Sequence, residues 1–97
     1  MIVKPLSTVA LLPTNSGTAT TLDKATAIHL YVAGTELGGG TTQDQDGVLI
    51  NIVNTAGGAP VASVRVPLQG TLVIGKGADQ LIFAEGNVYA VKIALLN

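Results

Sequence analysis

Val48-Leu49-Ile50-Asn51-Ile52-Val53-Asn54 is the stretch on which the fold turns. Its β-branched residues favour a pleated, half-buried strand over a helix. Alternation puts Val48, Ile50 and Ile52 on one face and Leu49, Asn51 and Val53 on the other. The second face is apolar too, apart from Asn51, so the strand is expected to be covered on both sides. Upstream, residues 28–33 alternate as cleanly: Ile28, Leu30 and Val32 share one face, His29 and Tyr31 the other. The glycine-rich run 34–47 between the two strands holds nothing to anchor a core and reads as a long exposed loop.

Outward from this pair the same pattern repeats. Residues 7–12 read as a strand ended by Pro13 and the Thr14-Asn15-Ser16-Gly17 turn. Residues 22–27 read either as a helical turn capped by Asp23 or as a lead into the next strand. Residues 61–66 place Ala62, Val64 and Val66 opposite Ser63 and Arg65. Residues 71–76 turn Leu72 and Ile74 inward. Residues 78–84 suit a helical turn or a short strand. Residues 88–96 set Tyr89, Val91, Ile93 and Leu95 against Lys92. The turns between them are rich in glycine, proline and asparagine. Six to seven strands at this spacing, without a long amphipathic helix, predict an all-β fold: a small, mostly antiparallel β-sandwich or barrel.

The 97 residues make one domain, 1–97, with residues 1–20 either an ordered strand or an extended arm that orders on docking. A chain of this size buries roughly 60–65% of its unfolded surface, for a net stability of about 5–10 kcal/mol. There is no cysteine, so no disulfide staples the fold and no thiolate attacks a substrate or binds a metal. The net charge of −1 offers no field for phosphate backbones or acidic lipids, and nucleic-acid binding is not expected. Nor is a membrane span, because no apolar run approaches the required ~18 residues. The opening MIVKPLSTVALLP carries a lysine and a short apolar stretch, but Pro5 interrupts it and a strand explains it better than a signal peptide. Charged residues form 11% of the chain against the usual ~25%. So little charge suggests that part of the surface is covered by another protein chain.

The residues capable of chemistry do not assemble into a reactive set in the sequence. His29, the single histidine, has no neighbouring nucleophile, orienting carboxylate or further ligands in sequence and reads as an outward strand residue. Asp44-Gln45-Asp46-Gly47 opens like an EF-hand loop, yet glycine comes at position 4 and threonine, Thr55, at position 12, so the match fails. A looser calcium site from Glu36, Asp44 and Asp46 stays open beside a solvated loop tip. Gly38-Gly39-Gly40-Thr41-Thr42 lacks the lysine and helix of a phosphate cradle. Gly75-Lys76-Gly77 reads as a turn that exposes Lys76. Ser7, Ser16 and Ser63 stand in no nucleophile-elbow frame. Asp23 and Lys24 read as an adjacent surface pair. Tyr31, Phe83 and Tyr89 are too few for a stacking platform, but Tyr31 points away from the core stripe and suits an interface anchor. An enzyme is not expected, and no cofactor is implied.

Gly70-Thr71-Leu72-Val73-Ile74-Gly75-Lys76, then Asp79-Gln80-Leu81-Ile82, then Asn87-Val88-Tyr89-Ala90-Val91-Lys92-Ile93-Ala94 resembles short all-β virion proteins of tailed bacteriophages. In those chains a strand ends in lysine, an acidic turn follows, and the last strand carries valine–tyrosine–alanine. Several of them are capsid decoration, or head cement, proteins. The resemblance covers about a quarter of the chain. It implies a virion structural protein, made in the host cytoplasm, that binds the outer surface of the major capsid protein as a homo-oligomer, a trimer favoured. It transfers no functional residues. The residues expected to make contact are Lys4, Tyr31, Arg65 and Lys76, large or charged groups at exposed-face or terminal positions. The alternative is a carbohydrate- or receptor-binding β module of a tail fibre or secreted protein, with a groove near residues 34–47 and Tyr31 at its edge.

Overall fold

The computed structural model describes residues 2–32, 47–67 and 70–96. Its strands are β1 (Ile2–Pro5), β2 (Ala10–Leu11), β3 (Ala27–Tyr31), β4 (Val48–Val53), β5 (Ala62–Val66), β6 (Thr71–Gly75), β7 (Leu81–Ala84) and β8 (Tyr89–Leu96). They form two antiparallel sheets. In the larger, β1 and β2 both pair with β8, followed by β3 and then β6; in the smaller the order is β5-β4-β7. The fold is all-β, as the alternation predicts, and the sheets do not close into a barrel. They face each other across one core. Ile28, Leu30, Val32, Val88 and Ala90 come from the larger sheet and its flanks, and Val48, Ile50, Ile52, Val66, Ile82 and Ala84 from the smaller.

The described strands number eight where six or seven are expected. The addition is β1. The expected strand over 7–12 shrinks to Ala10–Leu11, and Ile2–Pro5 pairs instead, Ile2 opposite Leu96 and Pro5 opposite Ile93. Proline does no harm there. The Leu6 N–H bonds the Lys92 carbonyl, so even-numbered residues of β1 face β8, and the nitrogen of Pro5 points away from the ladder. Between β1 and β2 the register on β8 shifts by two residues. Ser7 fills the gap: its Oγ accepts the Lys92 N–H at 3.1 Å.

Residues 22–27 are neither of the alternatives expected. Leu22, Asp23 and Lys24 take positive φ, and the Ala25 N–H closes the turn on the Thr21 carbonyl at 3.2 Å. Asp23 and Lys24 therefore do not pair with each other. Asp23 meets Lys92 at 3.6 Å and Lys24 meets Asp79 at 3.9 Å, because the turn sends adjacent side chains apart. Upstream of this turn, residues 13–20 clasp the smaller sheet. Thr20 exchanges backbone hydrogen bonds with Ile82, and the Ala84 N–H reaches the Pro13 carbonyl. The segment that begins on the larger sheet thus seals the outer edge of β7. The run 33–46, with Glu36, Asp44, Asp46 and the triple glycine, lies outside the described residues.

Candidate docking face

The register decides which side chains share the outer face of the larger sheet. Directly opposed residues in an antiparallel pair point the same way. Ile28 and Leu30 face the core, so His29 and Tyr31 face out, together with their partners Val73 and Thr71 on β6 and Val91 and Tyr89 on β8. Beyond β8 the same face takes Leu11 opposite Tyr89, Pro5 opposite Ile93 and Val3 opposite Leu95. Among the described residues no Lys, Arg, Asp or Glu stands on this face. The lysines of these strands and their flanks, Lys4, Lys76 and Lys92, all fall on the other parity.

Aromatic rings hold one end of the face. Tyr31 and Tyr89 stack with centroids 5.4 Å apart at 21°, and the His29 ring lies 6.3 Å from Tyr31, tilted at 45°. Such pairs contribute about 0.5–1.5 kcal/mol beyond their area and stiffen the surface they form. Aliphatic side chains hold the rest. Val91 and Ile93 are buried within it, whereas Leu11 (51% exposed), Val3 and Leu95 (both 43%) and Val73 (41%) ring them and meet solvent. Scattered apolar residues on a surface are ordinary. A contiguous sheet face with exposed valine and leucine around stacked tyrosines is more than such a scatter, and it is the candidate contact surface of the described residues.

The smaller sheet is built differently on its outer side. Asn51 is 2% exposed there, and both ends of its amide are used. Its Nδ2 donates to Glu85 Oε2 at 2.7 Å and its Oδ1 accepts from Ser63 Oγ at 2.6 Å. The chain of bonds ties β5, β4 and the end of β7 across the sheet. Beside it an open hollow of about 520 Å³ is lined by Thr14, Phe83, Glu85, Gly86 and Asn87. It offers a single carboxylate and no partner base or cation among its lining. Among the described residues no three His, Asp or Glu side chains gather as metal ligands.

Of the four residues expected from the sequence to make contact, Tyr31 lies on the outer face of the larger sheet. The others stand elsewhere. Lys4 is exposed on β1 with the opposite parity. Arg65 is on β5 of the smaller sheet, where its guanidinium donates to the Gly47 carbonyl at 3.1 Å. Lys76 is not displayed by its turn. Its Nζ donates to the Ala25 carbonyl at 2.8 Å and to the Gly77 carbonyl at 3.1 Å, and burial lowers its pKa, an effect the nearby Asp79 carboxylate partly opposes. Lys92 acts similarly, with its Nζ 2.8 Å from the Asp23 carbonyl. Both lysines serve the carbonyls of the left-handed turn. The serines are structural too: Ser7 and Ser63 as described, and Ser16 through its Oγ bond to the Gly58 carbonyl at 2.9 Å. Of the residues that complete the face, Tyr89, Val91, Ile93 and Leu95 were visible in sequence as one stripe and Val73 as the residue between the inward Leu72 and Ile74, whereas nothing in the sequence singled out Val3 and Leu11. The missing information was which stripe faced out.

No family model matches the chain, and no curated protein or solved structure is significantly similar to it.

Proposed function

We propose that this chain is a structural protein that works by docking, and that it decorates the outer surface of a bacteriophage head by binding the major capsid protein. The observation that supports docking is the charge-free outer face of the larger sheet. A face of this kind gains free energy when covered, roughly 25 cal/mol for each Å² of apolar surface removed from water. It has no ionic group that must be desolvated on contact. The head as its destination rests on the resemblance of residues 70–94 to phage virion proteins. On a repeating capsid lattice, joined copies would multiply a modest single-site affinity.

The test is occupancy of particles. Leu11→Lys and Leu95→Lys place charge on two exposed positions of the face, where the fold tolerates it. Both variants are expected to keep the wild-type melting temperature and to lose at least tenfold in binding to undecorated heads, read by co-sedimentation. Unchanged binding by both would remove the outer face from the reading. Absence of the chain from purified particles, by mass spectrometry of the source lysate, would remove the head.

One observation favours a second reading. The Tyr31–Tyr89 stack, flanked by His29, gathers three rings on one sheet face, and an outer ring face of such a group can carry a sugar ring. A carbohydrate- or receptor-binding module would show this by glycan-array binding that is lost in Tyr31→Ala, with no affinity for capsids.

A further inference from the structure

β6 is the outermost strand of the larger sheet, paired with β3 on one side only. Two hydrogen bonds fix its phase. The Val32 N–H bonds the Gly70 carbonyl and the Lys76 N–H bonds the Thr26 carbonyl. Gly70, Leu72, Ile74 and Lys76 thus direct their backbone groups toward β3, and Thr71, Val73 and Gly75 direct theirs outward. Among the described residues nothing pairs with those outward groups.

The other edges are guarded. β1 carries Lys4 and Pro5, β5 carries Arg65, and β7 is capped by Thr20 and Pro13. Charge, proline and covering loops are how sheets prevent edge-to-edge pairing. Among the described residues β6 has none of them: Thr71-Leu72-Val73-Ile74-Gly75 has no charged residue and no proline, its register on β3 runs without a bulge, and no described loop covers its edge.

We infer that two copies of this chain join antiparallel along β6 about a two-fold axis at Val73. The outward residues are symmetric about that position. An axis there sets Val73 opposite its own mate and Thr71 opposite Gly75, so every outward N–H meets an outward carbonyl, about six hydrogen bonds in all. An axis centred on Thr71 or Gly75 leaves part of the set unmatched. The Thr71–Gly75 pairing also puts a branched side chain beside a residue with no Cβ. A two-fold contact repeats one patch on both partners, and an edge without charge meets itself without repulsion.

Pairing along β6 would also change the extent of the outer face. The outer face is about four strands wide at ~4.8 Å each and about five residues long at ~3.4 Å each, roughly 330 Å² in projection. A stable protein contact takes roughly 800 Å² from each partner. Pairing along β6 makes the two outer faces continuous and doubles the surface available for docking. The pairing goes beyond the docking reading and does not depend on what that face meets. It is two-fold, where the resemblance implies a trimer.

Sedimentation of the full chain, at concentrations up to the millimolar range, should give a dimer. Val73→Pro removes the outward N–H at the axis and spares the ladder to β3, as Pro5 does on β1. It should sediment as a monomer with an unchanged far-ultraviolet spectrum. Val73→Cys provides a direct reading, because the chain has no cysteine of its own. Its Cα should lie about 5.5 Å from its mate, within the roughly 4.4–6.8 Å range a disulfide spans. Mild oxidation should convert it to covalent dimer at least tenfold faster than Thr8→Cys, placed outside the strand. A monomeric wild type, a trimer, or a dimer in which Val73→Cys cross-links no faster than the control overturns the inference. If Val73→Pro does not fold, the cysteine pair decides. None of these readouts involves a capsid, so the inference and the docking reading fail separately.

Discussion

Leu22, Asp23 and Lys24 hold φ values of 54°, 58° and 58° with no glycine among them. An L-residue in that region brings its Cβ against the following carbonyl, at roughly 1–2 kcal/mol each. The surroundings compensate. Leu22 packs against the core, its N–H bonds Thr20 Oγ1 at 3.0 Å, and the Lys24 N–H bonds Thr21 Oγ1 at 3.2 Å. Lys24 itself gives little back, because its ion pair with Asp79 is exposed on both sides. Lys24→Gly should therefore stabilise the protein by about 0.5–1 kcal/mol, read from urea unfolding. A loss of stability would mean the turn needs the lysine. Lys76 gives a pH signature at the same scale. Burial lowers its pKa in the folded chain below the ordinary 10.5, so between the lowered value and 10.5 the unfolded chain binds more protons than the folded one. Stability from this group thus rises with pH across that window. Below the window both states are protonated, and the burial penalty stands in full. Compared with Lys76→Met, wild type should gain in urea midpoint as the pH climbs toward 10.5. A difference that stays flat, or falls, would contradict the burial of the ammonium group.

Elements differ in how far their residues announce them. β3 and β4 are legible because alternation and core face coincide: Ile28, Leu30, Ile50 and Ile52 are all buried. β1 is not, because its four residues are exposed and its support comes from a strand some ninety positions away, where Lys4 meets Ala94. β8 misleads in another way. Tyr89, Val91 and Ile93 look like the stronger core stripe, yet Val88 and Ala90 face the core, where a small side chain lets the sheets approach. The docking face was hidden by the same ambiguity. Alternation separates two faces and does not say which one a second sheet will cover. Lys76 was read as displayed by its turn for a related reason. One of its acceptors, the Ala25 carbonyl, follows a left-handed turn that no glycine signals. The elements should also differ in how readily they open. β1 lies at an edge and contributes no side chain to the buried cluster, whereas β3 is paired on both sides. Amide hydrogens of Lys4 and Leu6 should exchange at least a hundredfold faster than those of Ile28 to Leu30. Equal protection would show that β1 opens only with the whole fold.

At the level of the molecule, the two sheets share one core but not one character. The smaller sheet satisfies its outer side internally, through Ser63, Asn51 and Glu85. The larger leaves its outer side uncharged and apolar and concentrates its lysines on the opposite parity. Docking and pairing along β6 would together account for a chain with only 11% charged residues. The pairing of Ile2 with Leu96 has a further consequence. Residues 2–5 find their place only after β8 has been synthesised, so the larger sheet cannot close before then. Until then β8 is missing from between β1 and β3, and the half-built larger sheet must persist without its central member. A protein organised this way closes its larger sheet in one late step, when β8 enters between strands made well before it.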